Sequence, residues 1–197
     1  LKYRLRMGQA VTLCCATGSA FVPDPPSEQE IFTNLPGAEE KLWRIAYAQL
    51  DVESSGKVDI ESESLHQYIC EASGFGADRI ELARALLLHS RDGHLSFEGM
   101  SNLLRECPLD DTEAIAIFQS AAPGEDQIES TEVRSMLMGV GERSLLGGAH
   151  FSDETWDKVL NIVMSEADFM VGMEGWLGMS KHFARFVRAL KQRHDLA

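Results

Sequence analysis

From about Pro36 onward, apolar residues return at the three-and-four spacing of a helix face, with short polar or glycine-containing stretches between the runs. Leu42, Ile45, Ala46 and Leu50 make one stripe, and Ile80, Ala83 and Leu87 open a second. Ile115, Ile117 and Phe118 belong to a third; Trp156, Val159, Leu160 and Val163 form a fourth. Stripes of this kind predict amphipathic helices that each bury one face. Strand signals are confined to a single apolar residue in each intervening stretch. The fold class expected from this pattern is all-α.

The intervening stretches repeat. Asp51-Val52-Glu53-Ser54-Ser55-Gly56-Lys57-Val58-Asp59-Ile60-Glu61-Ser62 sets Asp51, Glu53, Ser55, Lys57 and Asp59 at alternate positions, with Gly56 sixth. Oxygen ligands at that spacing around a sharp glycine turn suit a hard cation such as calcium. The same template fits Leu88 to Gly99, Ala121 to Glu132 and Met164 to Gly175. It makes Val58, Leu95, Ile128 and Val171 equivalent at the eighth position. Met100, Leu103 and Leu104 then follow the second loop, and Val133, Met136 and Leu137 the third.

The first loop closely resembles an EF-hand calcium loop, and the fourfold repeat resembles the EF-hand superfamily over about 160 of the 197 residues. The resemblance implies four helix-loop-helix units in two paired lobes, joined in each pair by a short β-bridge at the eighth position. It places an N-terminal pair over 36–107 and a C-terminal pair over 108–197, with a break near Cys107-Pro108. Residues 1–35 are then an acylated tail and a flexible tether, since Gly18, Ser19, Pro23, Pro25, Pro26 and Ser27 crowd its second half.

The ligand sets depart from the family's pattern. Ser62 stands where a bidentate Glu is normal, and Glu61 or Glu63 substitutes only if the loop runs short or long. Leu88 and Gly99 bracket the second loop and Met164 and Gly175 the fourth, so no metal is expected in either; the fourth keeps only Glu166 and Asp168 inside. The third retains Glu125, Glu129 and Glu132 but has Ala121 and Pro123 early; counted from Gln119 it is fourteen residues long and resembles a pseudo EF-hand. The expected cofactor is weak Ca2+ at one or two loops at most, with the first loop as the best site; the competing reading is four structural relics.

Charge narrows the partners. A net charge of −13 argues against nucleic acid, which needs clustered Lys and Arg, and equally against electrostatic adhesion to anionic lipid. No apolar run reaches the length of a spanning helix. Any membrane contact must therefore come from apolar anchors. Met7-Gly8-Gln9-Ala10-Val11-Thr12 fits the myristoylation pattern at Gly8, and Cys14-Cys15 supplies palmitoylation sites as the second signal. This reading requires translation to start at Met7. A signal peptide with Lys2, Arg4 and Arg6 ahead of Ala10–Ala16 and an uninformative tail are the alternatives.

Trp43, Trp156, Trp176 and the eight methionines either line a groove for a target helix or fill the cores of two lobes. Met170, Met173, Trp176 and Met179 are the stretch where exposed partner-binding surface is expected. Phe183, Phe186, Val187 and Leu190 share one face of a basic C-terminal helix, which either packs on its own domain, fills a groove of the lobes or touches lipid headgroups. The six histidines are scattered, and no phosphate loop or nucleophile-base grouping is present, so no enzyme is expected. Within the superfamily the likeness is to N-acylated sensors and adaptors of the calcineurin-B or neuronal-calcium-sensor type. It implies a peripheral protein on the cytoplasmic face of a membrane that binds a helical target, with a calcium-independent scaffold or a regulatory subunit of a kinase or phosphatase as alternatives.

Overall fold

A computed structural model describes residues 22–73, 79–106, 111–144, 151–164 and 169–196. Over these residues the chain is all-α apart from four very short strands. Helices α1 (Glu28–Thr33) and α2 (Leu35–Leu50) lead to β1 (Val58–Asp59) and α3 (Glu63–Ser73). Then come α4 (Arg79–His89), β2 (His94–Leu95) and α5 (Phe97–Glu106). The second half repeats the order with α6 (Asp111–Ala121), β3 (Gln127–Glu129), α7 (Ser130–Ser144), α8 (Asp153–Val163), β4 (Met170–Gly172) and α9 (Met173–Asp195).

The strands pair two by two. β1 runs antiparallel to β2 with Val58 opposite Leu95, and β3 antiparallel to β4 with Ile128 opposite Val171. Each of these four residues is buried while its strand neighbours are not all so, as a period-two strand on a core requires. Two helix-strand-helix segments are thereby tied at each end of the molecule.

Two apolar cores result, and their boundary is not the one the sequence suggested. One core joins Trp43, Tyr47, Val58, Leu65, Ile69, Leu82, Leu86, Leu95, Met100 and Leu103. The other takes Phe118, Ile128, Val133, Leu137, Trp156, Leu160, Val171 and Trp176, but also Ile31, Leu35, Ala38 and Leu42 from far upstream. Helix α2 is therefore shared: its first half serves the second core and its last half the first. The tether expected through residue 35 ends sooner, because α1 forms over 28–33 and buries Ile31 completely. Local signals explain the start: Ser27 accepts the Glu30 N–H at 3.1 Å, and Asn34 accepts that of Gly37 at 3.3 Å as α2 begins.

The C-terminal helix closes the molecule. Phe183, Phe186, Val187 and Leu190 are all buried in the second core, so the amphipathic stripe is a packing stripe. Phe186 stacks on Phe32 of α1, and Phe183 on Trp156 of α8. The polar edge of α9 reaches the first half. Arg185 pairs with Glu39 of α2 through Nε and Nη2, its Nε donating to Oε1 at 3.0 Å and its Nη2 to Oε2. Arg188 Nη1 points to the Ala72 carbonyl of α3 at 3.4 Å, and burial pulls its pKa down to about 10.

Helix α4 corrects the second stripe. Ile80, Ala83 and Leu87 lie on the outside, whereas Leu82 and Leu86 enter the core. The run from Leu82 to Leu88 is apolar at every position but Arg84, so its periodicity selects no face.

Candidate functional site

The loop between α2 and α3 is the place where sequence-predicted ligands meet. Tyr47 and Asp51 stand one helical turn apart at the end of α2, and the Asp51 N–H closes the helix on the Tyr47 carbonyl at 2.8 Å. Asp51 is buried and turned into the loop: Oδ1 accepts the Ser55 N–H at 2.9 Å and the Ser55 hydroxyl at 3.0 Å, and Oδ2 accepts the Gly56 N–H at 2.7 Å. Gly56 makes this possible by adopting φ of 74°, in the region that favours glycine. Ser55 Oγ also lies 3.0 Å from the Lys57 carbonyl. The Asp51 carboxylate, the Ser55 hydroxyl and the Lys57 carbonyl thus form a cluster of oxygen atoms around one turn.

The remaining predicted ligands stay outside it. Asp59 spends Oδ1 on the Glu61 N–H at 2.9 Å, and Glu53 is exposed. Neither Glu61 nor Glu63 substitutes for the missing twelfth-position carboxylate, since both are exposed, and Glu63 already sits in the first turn of α3. Calcium takes six to eight oxygens. The three residues assembled here supply fewer oxygens than that, and both Asp51 oxygens already accept hydrogen bonds within the loop.

The other loops differ in kind. In the second, Asp92 and Gly93 take φ of 53° and 76°, and Arg91 and His94 exchange N–H···O bonds of 2.8 and 3.0 Å. That is a two-residue hairpin of the sort Asp-Gly favours, in place of an open ligand loop. At its far end a Cβ on Gly99 would lie 2.4 Å from the His89 carbonyl oxygen. The ends of α4 and α5 have closed where a metal-binding side chain would enter. In the third loop Gly124 turns the chain at φ of 84°, but Glu125, Glu129 and Glu132 are all exposed. Among the described residues no three His, Cys, Asp or Glu side chains converge as a metal set. Glu166 and Asp168 of the fourth loop lie outside the described residues, as do Gly8, Cys14 and Cys15.

No protein-family model, curated protein or solved structure matches the chain.

The predicted partner-binding stretch divides. Trp176 is wholly buried and donates its indole N–H to the Ala114 carbonyl at 2.6 Å, which removes it from any surface. Met173 and Met179 pack partly against the second core, and only Met170 is largely exposed. Trp43 and Trp156 are core residues as well. The helical period of this stretch could not foresee that α6 would cover it. No helix among the described residues is long and apolar enough to cross a membrane.

One polar contact that the sequence reading missed stabilises the first loop from below. The Tyr47 hydroxyl donates to the Leu95 carbonyl at 3.0 Å, linking the end of α2 to β2. Burial, reinforced by the Asp51 charge, pushes its pKa up to about 12.

Proposed function

We propose that this chain is an EF-hand-type adaptor, held at the cytoplasmic face of a membrane by acyl groups on Gly8, Cys14 and Cys15, that binds a helical protein target without catalysing a reaction. The observation that carries the reading is the strand register. The four residues equivalent in the repeat, Val58, Leu95, Ile128 and Val171, face one another in two antiparallel pairs. Paired helix-loop-helix units joined at that position are the architecture the EF-hand resemblance implies. Among the described residues calcium would bind at the first loop, held by the Asp51 carboxylate, the Ser55 hydroxyl and the Lys57 carbonyl. The closed hairpin of the second loop and the filled cores favour a constitutive scaffold over a lobe that opens on metal binding.

Calorimetric titration of the full chain with calcium tests the metal part of this reading. It is expected to give a single weak site, with a Kd on the order of 10⁻⁴ to 10⁻³ M, that disappears in Asp51→Asn. Two or more tight sites would overturn it. Absence of heat up to millimolar calcium would leave the first loop a structural element and the adaptor wholly calcium-independent.

A further inference from the structure

Asp92-Gly93 is the one Asp-Gly pair in the chain, which has no Asn-Gly pair. It forms the tip of the hairpin ahead of β2, where both residues are exposed. Their φ angles of 53° and 76° are those of a type I′ turn, which needs positive φ at both central residues. Among the described residues neither the Asp92 carboxylate nor the Gly93 N–H has a hydrogen-bond partner. A Cβ added to Gly93 would meet nothing within 4 Å, so the space beside its nitrogen is open. A free carboxyl group and a free, unhindered amide nitrogen thus stand next to each other in one turn.

The turn also permits the geometry that joins them. Types I′ and II′ share the positive φ at the first central residue and differ by a flip of the peptide between the two. That flip sets ψ of Asp92 to about −120° and makes φ of Gly93 negative, which glycine accepts freely. At that ψ the Gly93 nitrogen is eclipsed with Asp92 Cβ, the near-planar arrangement a five-membered imide requires. The hairpin's two closing bonds, between Arg91 and His94, belong to neighbouring peptides and are kept during the flip. One contact opposes it: His94 Nδ1 lies 2.8 Å from the Asp92 carbonyl oxygen, in the peptide that must turn.

We propose that Asp92 is a modification site, at which the folded turn forms isoaspartate by cyclisation onto the Gly93 nitrogen, with His94 restraining the rate. In the first step the Gly93 nitrogen attacks Cγ of the Asp92 carboxylic acid. A C–N bond forms, and the amide proton leaves with the carboxyl hydroxyl as water. In the second, water adds to the imide and one C–N bond breaks. Breaking the bond to Cγ restores aspartate; breaking the bond to the backbone carbonyl carbon leaves the main chain running through Cβ and Cγ. No oxidant or cofactor enters. The added main-chain carbon cannot fit a two-residue turn. It therefore loosens the Arg91–His94 pairing and the 3.1 Å bond from Ile60 N–H to the Gly93 carbonyl, which ties this hairpin to β1.

The test incubates the full-length chain at neutral pH and physiological temperature for several weeks. Isoaspartate is read by peptide mapping with electron-transfer fragmentation, and by methyl transfer from an L-isoaspartyl carboxyl methyltransferase. Circular dichroism at each time point checks that the protein stays folded. Wild type is expected to accumulate isoaspartate at position 92 while its dichroism is unchanged. His94→Ala should speed this about fivefold, the worth of one ordinary hydrogen bond. His94→Asn, whose side-chain amide N–H falls near the place of Nδ1, should stay close to wild type. Asp92→Glu, which would have to close a six-membered ring, should give no signal. The proposal is overturned by the absence of isoaspartate in wild type, by its appearance only after native dichroism is lost, or by its mapping to another aspartate. Equal rates in wild type and His94→Ala overturn it as well.

Discussion

At Gly99 the backbone of α5 comes so close to the last carbonyl of α4 that even a methyl group has no room, 2.4 Å from the His89 oxygen and 3.0 Å from Leu95 Cδ1. Gly99→Ala is therefore expected to lower unfolding stability by about 1–3 kcal/mol in urea titration, and Gly99→Glu creates no cation site because the helix ends exclude the side chain. Tyr47 gives a second residue-scale prediction. Its pKa rises from 10.0 to about 12 in the folded protein, chiefly through burial. The neutral phenol is thus favoured by folding, so this contribution is complete below pH 10 and fades as pH climbs towards 12. Alkaline unfolding should show a loss of stability in that window, and Tyr47→Phe should reduce it, the buried Tyr68 hydroxyl, whose pKa burial also raises, supplying the remainder. Part of this scale was readable in the sequence. Gly56 announces its turn, and Asp92-Gly93 carries a hairpin signal in its own dipeptide, at the fifth and sixth positions of a loop in which no metal was expected. The contact at Gly99 had no local signal, because it depends on how two helices approach.

At the scale of elements, helix existence was plain from periodicity, while the choice of face was not. In α9 the stripe Phe183, Phe186, Val187 and Leu190 is clean, and all four residues are buried. In α4 apolar residues run round the helix, and only packing against α5 decides that Leu82 and Leu86 turn inward. The same limit applies to Trp176, whose burial follows from α6 lying across it and the hydrogen bond to Ala114. Helix α9 also contributes more than a C-terminal extension would. Ending the chain at His182 removes five core side chains, Phe183, Phe186, Val187, Ala189 and Leu190, and the partners of Glu39 and Ala72. Loss of large buried residues costs about 3–5 kcal/mol each for aromatics. The shortened chain should therefore lose cooperative thermal unfolding and its near-ultraviolet dichroism. A sharp transition preserved in calorimetry would mean that the stripe is dispensable.

For the whole molecule, the two halves are less separate than the repeat suggests. Helix α2 divides its buried residues between both cores, and α9 reaches back to α2 and α3 through Arg185 and Arg188. A fourfold repeat in the sequence could not reveal this, because the linking residues, Ile31, Leu35 and Glu39, lie at the edge of or before the first repeat. Tied lobes of this kind suit a fixed adaptor better than a sensor whose halves must open independently. The proposed function is a paired EF-hand-type frame whose first loop answers to calcium. Amide NMR of the isotope-labelled full chain during calcium titration tests this most directly. Shifts are expected to be confined to Asp51–Ser62 and the facing β2 strand, with the Gly56 amide moving most and the helices unchanged. Shifts that spread through Ala121–Glu132 and Met164–Gly175 with a global change in the helix resonances would contradict it.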